Sequence, residues 1–178
     1  MKFLPTKIPD VILVKPDIYQ DDRGYFMESY HQGKYEENGI SVQIVQDNQA
    51  GSIRNVLRGL HYQVNHPQGK LIGAVTGKIF DVAVDIRKDS KTLGQWVGAE
   101  LSQENKHRLY IPPGFAHGYC VLSEYAEIEY KCADIYHPED DRGILWDDPA
   151  LNINWPVSMP ILSVKDRNLP LLKDAELL

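Results

Sequence analysis

Ile79-Phe80-Asp81-Val82-Ala83-Val84-Asp85-Ile86 alternates residue by residue, with Phe80, Val82, Val84 and Ile86 on one face and Asp81 and Asp85 on the other. A side-chain period of two marks a β-strand, because successive Cβ atoms leave opposite faces of the pleat. Glu127-Ile128-Glu129-Tyr130-Lys131-Cys132 repeats the pattern, with charges one way and Ile128, Tyr130 and Cys132 the other. Upstream, residues 70–75 read as another strand, and Thr76-Gly77-Lys78 supplies a tight hairpin turn into the first, with Gly77 free to take a positive φ. Residues 11–14, 25–30, 56–62, 96–101 and 119–122 add further strands. Helical content is small: residues 31–38 predict two turns ended by Gly39, and residues 89–93 a short turn. From about residue 138 the chain is rich in Pro, Asp and Asn, with Trp146 and Trp155, and is expected to pack outside the sheets with short helices near Pro160 and Pro170. Short strands punctuated by turns predict a mainly β, antiparallel sandwich or barrel. Parallel α/β is disfavoured, because no long amphipathic helices lie between the strands.

Composition narrows the classes. The 178 residues predict one domain against a norm of about 150 per domain. With 43% hydrophobic and 25% charged residues the chain can build a core without disulfides or a structural metal. A net charge of −6 argues against a nucleic-acid footprint, which needs a basic surface, while leaving room for one local phosphate-binding pocket. No apolar run approaches the roughly 20 residues that cross a bilayer. Met1-Lys2-Phe3-Leu4-Pro5 shows no apolar signal segment, so a cytoplasmic location is the expectation. Cys120 and Cys132 have no partners at zinc-site spacing and read as buried core thiols, a catalytic thiol being the minor alternative.

Three clusters could carry chemistry. In Arg58-Gly59-Leu60-His61-Tyr62-Gln63, alternation puts His61 on the face of Leu57, Gly59 and Gln63. A lone strand histidine is ordinarily structural. Here Gly59 leaves room on that face, and Arg58 and Lys70 lie near in sequence, a setting suited to a phosphate or an enolate. The second cluster, Ile111-Pro112-Pro113-Gly114-Phe115-Ala116-His117-Gly118-Tyr119, carries P-x-G-x-x-H, which resembles the second half of the cupin signature, that of an antiparallel jelly roll. The first half of a metal-binding cupin supplies His-x-His; here His61 is followed by Tyr62 and Gln63, so these motifs assemble no metal site. The third, Leu162-Ser163-Val164-Lys165-Asp166-Arg167, reads either as a solvated turn or as a carboxylate, Asp166, that orients a histidine ring.

Taken in order and at their spacing, several motifs resemble one family. They are D-x-R-G-x-F-x-E from Asp21 to Glu28, Gln46-Asp47-Asn48, residues 55–63, Gln68-Gly69-Lys70-Leu71, residues 111–118 and Trp146-Asp147-Asp148-Pro149. The chain is similar over nearly its full length to the dTDP-4-dehydrorhamnose 3,5-epimerases, cofactor-free enzymes of dTDP-L-rhamnose synthesis. The resemblance implies a cupin-like jelly-roll barrel, its core near residues 40–135, with the N-terminal strands and the C-terminal segment packed around it. It implies His61 as base oriented by Asp166, Tyr130 as acid on the other sugar face, and Lys70 at the ketone oxygen. It puts Arg23, Glu28, Gln46, Asp47, Asn48, Arg58, His117 and Lys165 along the nucleotide and sugar subsites. Asp141 stands where the family usually has Glu, one methylene longer. The loop from His61 to Lys70 is about one residue shorter than usual, a change loops tolerate. The family's substrate is a dTDP-4-keto-6-deoxyhexose; its members are homodimers that share sheet strands.

From the residues alone, Tyr130 reads more readily as a packed core tyrosine than as a catalytic group, and Arg23 with Glu28 as a surface ion pair. The competing functions are a single-centre C3 or C5 epimerase, a metal-dependent cupin oxygenase, and a non-catalytic sugar-nucleotide-binding module.

Overall fold

The computed structural model describes residues 1–178. In chain order the strands are β1 (Lys2–Pro5), β2 (Ile12–Lys15), β3 (Ile18–Asp21), β4 (Gly24–Met27), β5 (Gln46–Ile53), β6 (Leu57–Gln63) and β7 (Lys70–Thr76). They continue with β8 (Lys78–Asp85), β9 (Trp96–Ser102), β10 (Arg108–Ile111), β11 (Phe115–Val121), β12 (Tyr125–Cys132) and β13 (Asp141–Gly143). Two short α-helices, α1 (Gln32–Glu37) and α2 (Val164–Arg167), and two single 3₁₀ turns complete the elements. No helix is long and apolar enough to cross a membrane.

Two sheets face each other. One has strand order β1-β2-β10-β7-β12-β5, the other β13-β6-β11-β8-β9, and every pairing between named strands is antiparallel. The main core lies between them: Ile72, Leu109, Ile111 and Ile128 from one sheet meet Ile79, Val97, Leu101 and Phe115 from the other. This is the expected jelly-roll architecture, and the mainly β, few-helix expectation holds. Burying these side chains supplies most of the stabilisation, at roughly 1.5–3 kcal/mol for each large apolar side chain.

Several local expectations are corrected. Thr76-Gly77-Lys78 is not a hairpin turn: β7 and β8 belong to different sheets, and the chain crosses between them at Gly77, whose φ is +71°. A Cβ there would fall 2.1 Å from the Tyr125 carbonyl oxygen, so the crossing needs glycine. The two faces of β8 divide as the alternation predicts, and the apolar one is the outer face. Phe80, Val82, Val84 and Ile86 face outward, beneath Trp155, Leu172, Leu177 and Leu178 of the C-terminal segment, whereas Ile79 and Ala83 face the core. Asp81 and Asp85 therefore lie on the inner face and are fully buried. Asp85 is satisfied by Arg87 Nε at 2.9 Å and by the Ser90 and Thr92 hydroxyls, whereas Asp81 is bonded through Oδ2 to His117 while its Oδ1 has no partner in the protein.

β5 was not expected. It pairs with β12 over its whole length, from Gln46↔Cys132 to Ile53↔Tyr125, and forms the free edge of its sheet. The strand expected at residues 25–30 is shorter and pairs only with β3, forming a hairpin outside both sheets. α1 falls where expected, with the His31 ring accepting from Lys34 N–H and Gly39 at φ +84° just beyond. Both cysteines are buried and unpaired.

Candidate active site

The site grows out of β6 and β11. His61 lies directly across from His117, and Arg58 across from Tyr119, with a register shift between the two pairs. The shift sits at Gly59, where φ is +124° and a Cβ would approach Gly118 Cα to 2.6 Å. So Gly59 is required for close strand packing and does not make ligand space, as its position had suggested. The irregularity also breaks simple alternation, so that Arg58 opens onto the same cavity as His61.

Asp166 reaches His61 from a distant part of the chain. Segment 161–166 is pinned beside β6 by Leu57 N–H donating to the Ile161 carbonyl at 3.0 Å and Ile161 N–H donating to the Asn55 carbonyl at 2.8 Å. Ser163 then caps α2, its hydroxyl accepting from Asp166 N–H at 3.0 Å, and this fixes the aspartate. Asp166 Oδ1 lies 2.6 Å from His61 Nε2. Desolvation works against the Asp166 anion, but the bonds from His61 and Ser163 and the nearby charge of Lys165 outweigh it and hold the carboxyl below its usual range. An ionised Asp166 accepts a hydrogen bond from Nε2–H, which leaves Nδ1 as the nitrogen without a proton.

Tyr130 and Lys70 come from the opposite sheet. Tyr130 on β12 is flanked by Asn48 on β5 and Ile72 on β7, and Lys70 opens β7 opposite Cys132. Burial pushes the Tyr130 phenol above its ordinary range, so it is a protonated donor at neutral pH. Desolvation pushes the Lys70 ammonium below the usual lysine range, against the favourable pull of Asp141 and Asp81.

All four groups border one cavity of about 430 Å³, a size suited to a small-molecule ligand. Arg58, His117 and Lys165 line it as well. A second lobe of about 270 Å³ shares His61, Lys70 and Tyr130 and adds Gln46, Asn48, Gln68, Tyr136 and Asp141. Asp141 is held by Lys165 and by the Tyr136 hydroxyl, which donates at 2.8 Å.

Three expected site residues lie elsewhere in this chain. Asp47 points to the outer face of its strand, 3.0 Å from Lys131 Nζ, because it sits between the inward Gln46 and Asn48. Arg23 and Glu28 are on the β3–β4 hairpin and its exit, away from both lobes; Arg23 pairs with Asp21 and Glu28 with Lys34, so they do not pair with each other. Conversely, Asp81, Tyr119, Ser163, Gln68 and Tyr136 belong to the site or support it and were not anticipated. Asp81 Oδ2 lies 2.8 Å from His117 Nε2, a second buried His–Asp pair beside the first. No group of three or more His, Cys, Asp or Glu side chains is arranged to hold a metal ion.

A family model for dTDP-4-dehydrorhamnose 3,5-epimerase matches residues 5–174. The chain belongs to that family. It is 54% identical over 178 residues to the dTDP-4-dehydrorhamnose 3,5-epimerase of Pseudomonas aeruginosa, covering 99% of this chain and 98% of the relative. The Shigella flexneri enzyme of the same name is 53% identical over 178 residues, covering 99% and 98%. Among solved structures, a Legionella pneumophila dTDP-6-deoxy-D-glucose-3,5-epimerase in complex with dTDP-4-keto-L-rhamnose superposes with a TM-score of 0.95 at 49% identity, covering 97% of this chain and 93% of that one. As a member of the 3,5-epimerase family, the chain is an isomerase-class enzyme with the cupin-like fold.

Proposed function

We propose that this 3,5-epimerase converts dTDP-4-dehydro-6-deoxy-D-glucose to dTDP-4-dehydro-L-rhamnose, the epimerisation step of dTDP-L-rhamnose biosynthesis. The observation that carries the mechanism is that His61, oriented by Asp166, and Tyr130 come from facing sheets onto one cavity. The C4 ketone acidifies the hydrogens on C3 and C5. His61 Nδ1, as general base, removes a proton from one ring face. The electron pair moves onto the ketone oxygen, where the Lys70 ammonium holds the enolate. Tyr130 returns a proton to the same carbon from the other side. A proton leaves and a proton arrives at each centre, so no redox cofactor enters the balance.

In this assignment Arg58, His117 and Lys165 hold the diphosphate and sugar in the larger lobe, and Gln46, Asn48 and Asp141 face the smaller one. Arg23, Glu28 and Asp47 are assigned to the interface of a homodimer. The β3–β4 hairpin exposes 65% of Tyr19 and 70% of Phe26, and β5, which borders the smaller lobe, has an unpaired edge. Docking the hairpin of one copy along β5 of another would bury those rings and deliver Arg23 and Glu28 to the second copy's site. Phe26→Asp is expected to yield a monomer by analytical ultracentrifugation with kcat/KM lowered about 10-fold or more, as one lost charged contact alone would do; a fully active dimer would refute this arrangement.

The reaction itself is tested by incubation in D₂O. Deuterium at both C3 and C5 of the product is expected; label at one carbon would make the protein a single-centre epimerase, and no label would remove proton transfer altogether.

A further inference from the structure

Tyr119 is 4% exposed, borders the larger lobe, and its hydroxyl has no hydrogen-bond partner in the protein. A buried phenol ordinarily bonds something, because leaving its hydroxyl unpaired forfeits the water it gave up. The Ser52 hydroxyl lies beside it and pulls the phenol down against the larger upward push of burial, but makes no well-formed hydrogen bond with it. Ser52 Oγ instead accepts from Arg58 Nε at 3.2 Å, and Arg58 is the cross-strand partner of Tyr119. The next cross-strand pair is His61 with His117, whose ring stacks over Tyr119 at 6.3 Å between centroids. The cavity wall therefore has two levels: two imidazoles on one, and a guanidinium beside an unpartnered hydroxyl on the other.

Resting on the function proposed above, we propose that Tyr119 is a substrate-positioning residue whose hydroxyl donates to a diphosphate oxygen of the nucleotide held by Arg58. Arg58 is the only guanidinium lining this lobe, so the substrate's anionic group belongs beside it. A donor next to that cation complements a phosphoryl oxygen, which has lone pairs to spare once the guanidinium is bound. Burial keeps the phenol protonated and so a donor at neutral pH. Tyr119 is distinct in role from Tyr130, which stands on the opposite sheet among the groups assigned to proton transfer.

Tyr119→Phe removes one oxygen that makes no well-formed hydrogen bond in the protein and keeps the ring, so the fold and the ring packing are retained. Titration calorimetry should show dTDP binding weakened by about 10- to 100-fold, the loss of one hydrogen bond to a charged group, with thymidine binding unchanged. With substrate, KM should rise while the rate of C–H exchange at saturation stays within about twofold of wild type. Pairing Tyr119→Phe with Arg58→Gln should give less than the product of the two separate losses. Unchanged dTDP affinity, or equal loss for dTDP and thymidine, would overturn the assignment. If thermal melting showed Tyr119→Phe to be unfolded, the hydroxyl would be structural and the assignment would equally fall. Wild-type protein that neither binds dTDP nor exchanges protons would instead refute the underlying function.

Discussion

His61→Ala is expected to abolish deuterium incorporation at both C3 and C5 and to lower kcat/KM by about 10³-fold or more, towards the upper range for loss of a general base. Tyr130→Phe should behave differently. With His61 and Asp166 intact, abstraction still occurs, so substrate hydrogens still exchange with solvent. Delivery of a proton from the opposite face is lost, and net epimerisation falls by about 10²-fold. The contrast follows from geometry: the imidazole is fixed by Asp166 Oδ1 at 2.6 Å on one sheet, and the phenol stands on the other. Measuring exchange and net turnover together, by proton NMR in D₂O, separates the two steps. Equal and complete loss of exchange in both variants would refute separate base and acid roles.

Much of this arrangement was written in local patterns. Alternation identified the strands that carry His61 and Tyr130, and the order of six motifs identified the family. What escaped was set by pairing between distant segments. β5 carries only Ala50 and Ile53 as apolar residues, since it is an edge strand whose alternate side chains meet water, and its partner β12 supplies what its own composition does not signal. The inward face of β8 holds Asp81, whose Oδ2 pairs with His117 from another strand and so offsets part of the cost of burying it; read alone, those aspartates mark the wet face. Arg58 joins His61 on one cavity through the register shift at Gly59, which has no signature until Gly118 is known to pack against it. The same holds for Tyr119, one of ten tyrosines in the sequence, singled out only by an unpartnered hydroxyl. Asp166 was one of two readings of its loop and was paired with His61 through resemblance, and the physical reason it reaches His61 is the backbone clasp between residues 55–57 and Ile161.

Lys70→Ala is expected to reduce kcat by about 10²–10³-fold while leaving dTDP affinity within about twofold of wild type. The negative charge that Lys70 meets is absent from the nucleotide and small on the ground-state ketone; it develops fully only when the C–H bond has broken. An ammonium in that place thus stabilises the transition state far more than the bound substrate. The same logic fixes the pH dependence. Burial lowers the Lys70 value from its ordinary range, so the charged form is complete at low pH and is lost as pH rises through the lowered value. The alkaline limb of kcat should accordingly fall at a lower pH than an exposed lysine would give, and Lys70→Arg, which keeps its charge throughout, should lose that limb while retaining part of the rate. Stopped-time assays across the alkaline range provide the check. A loss expressed wholly in KM, or an alkaline limb unchanged in the arginine variant, would remove Lys70 from the enolate oxygen.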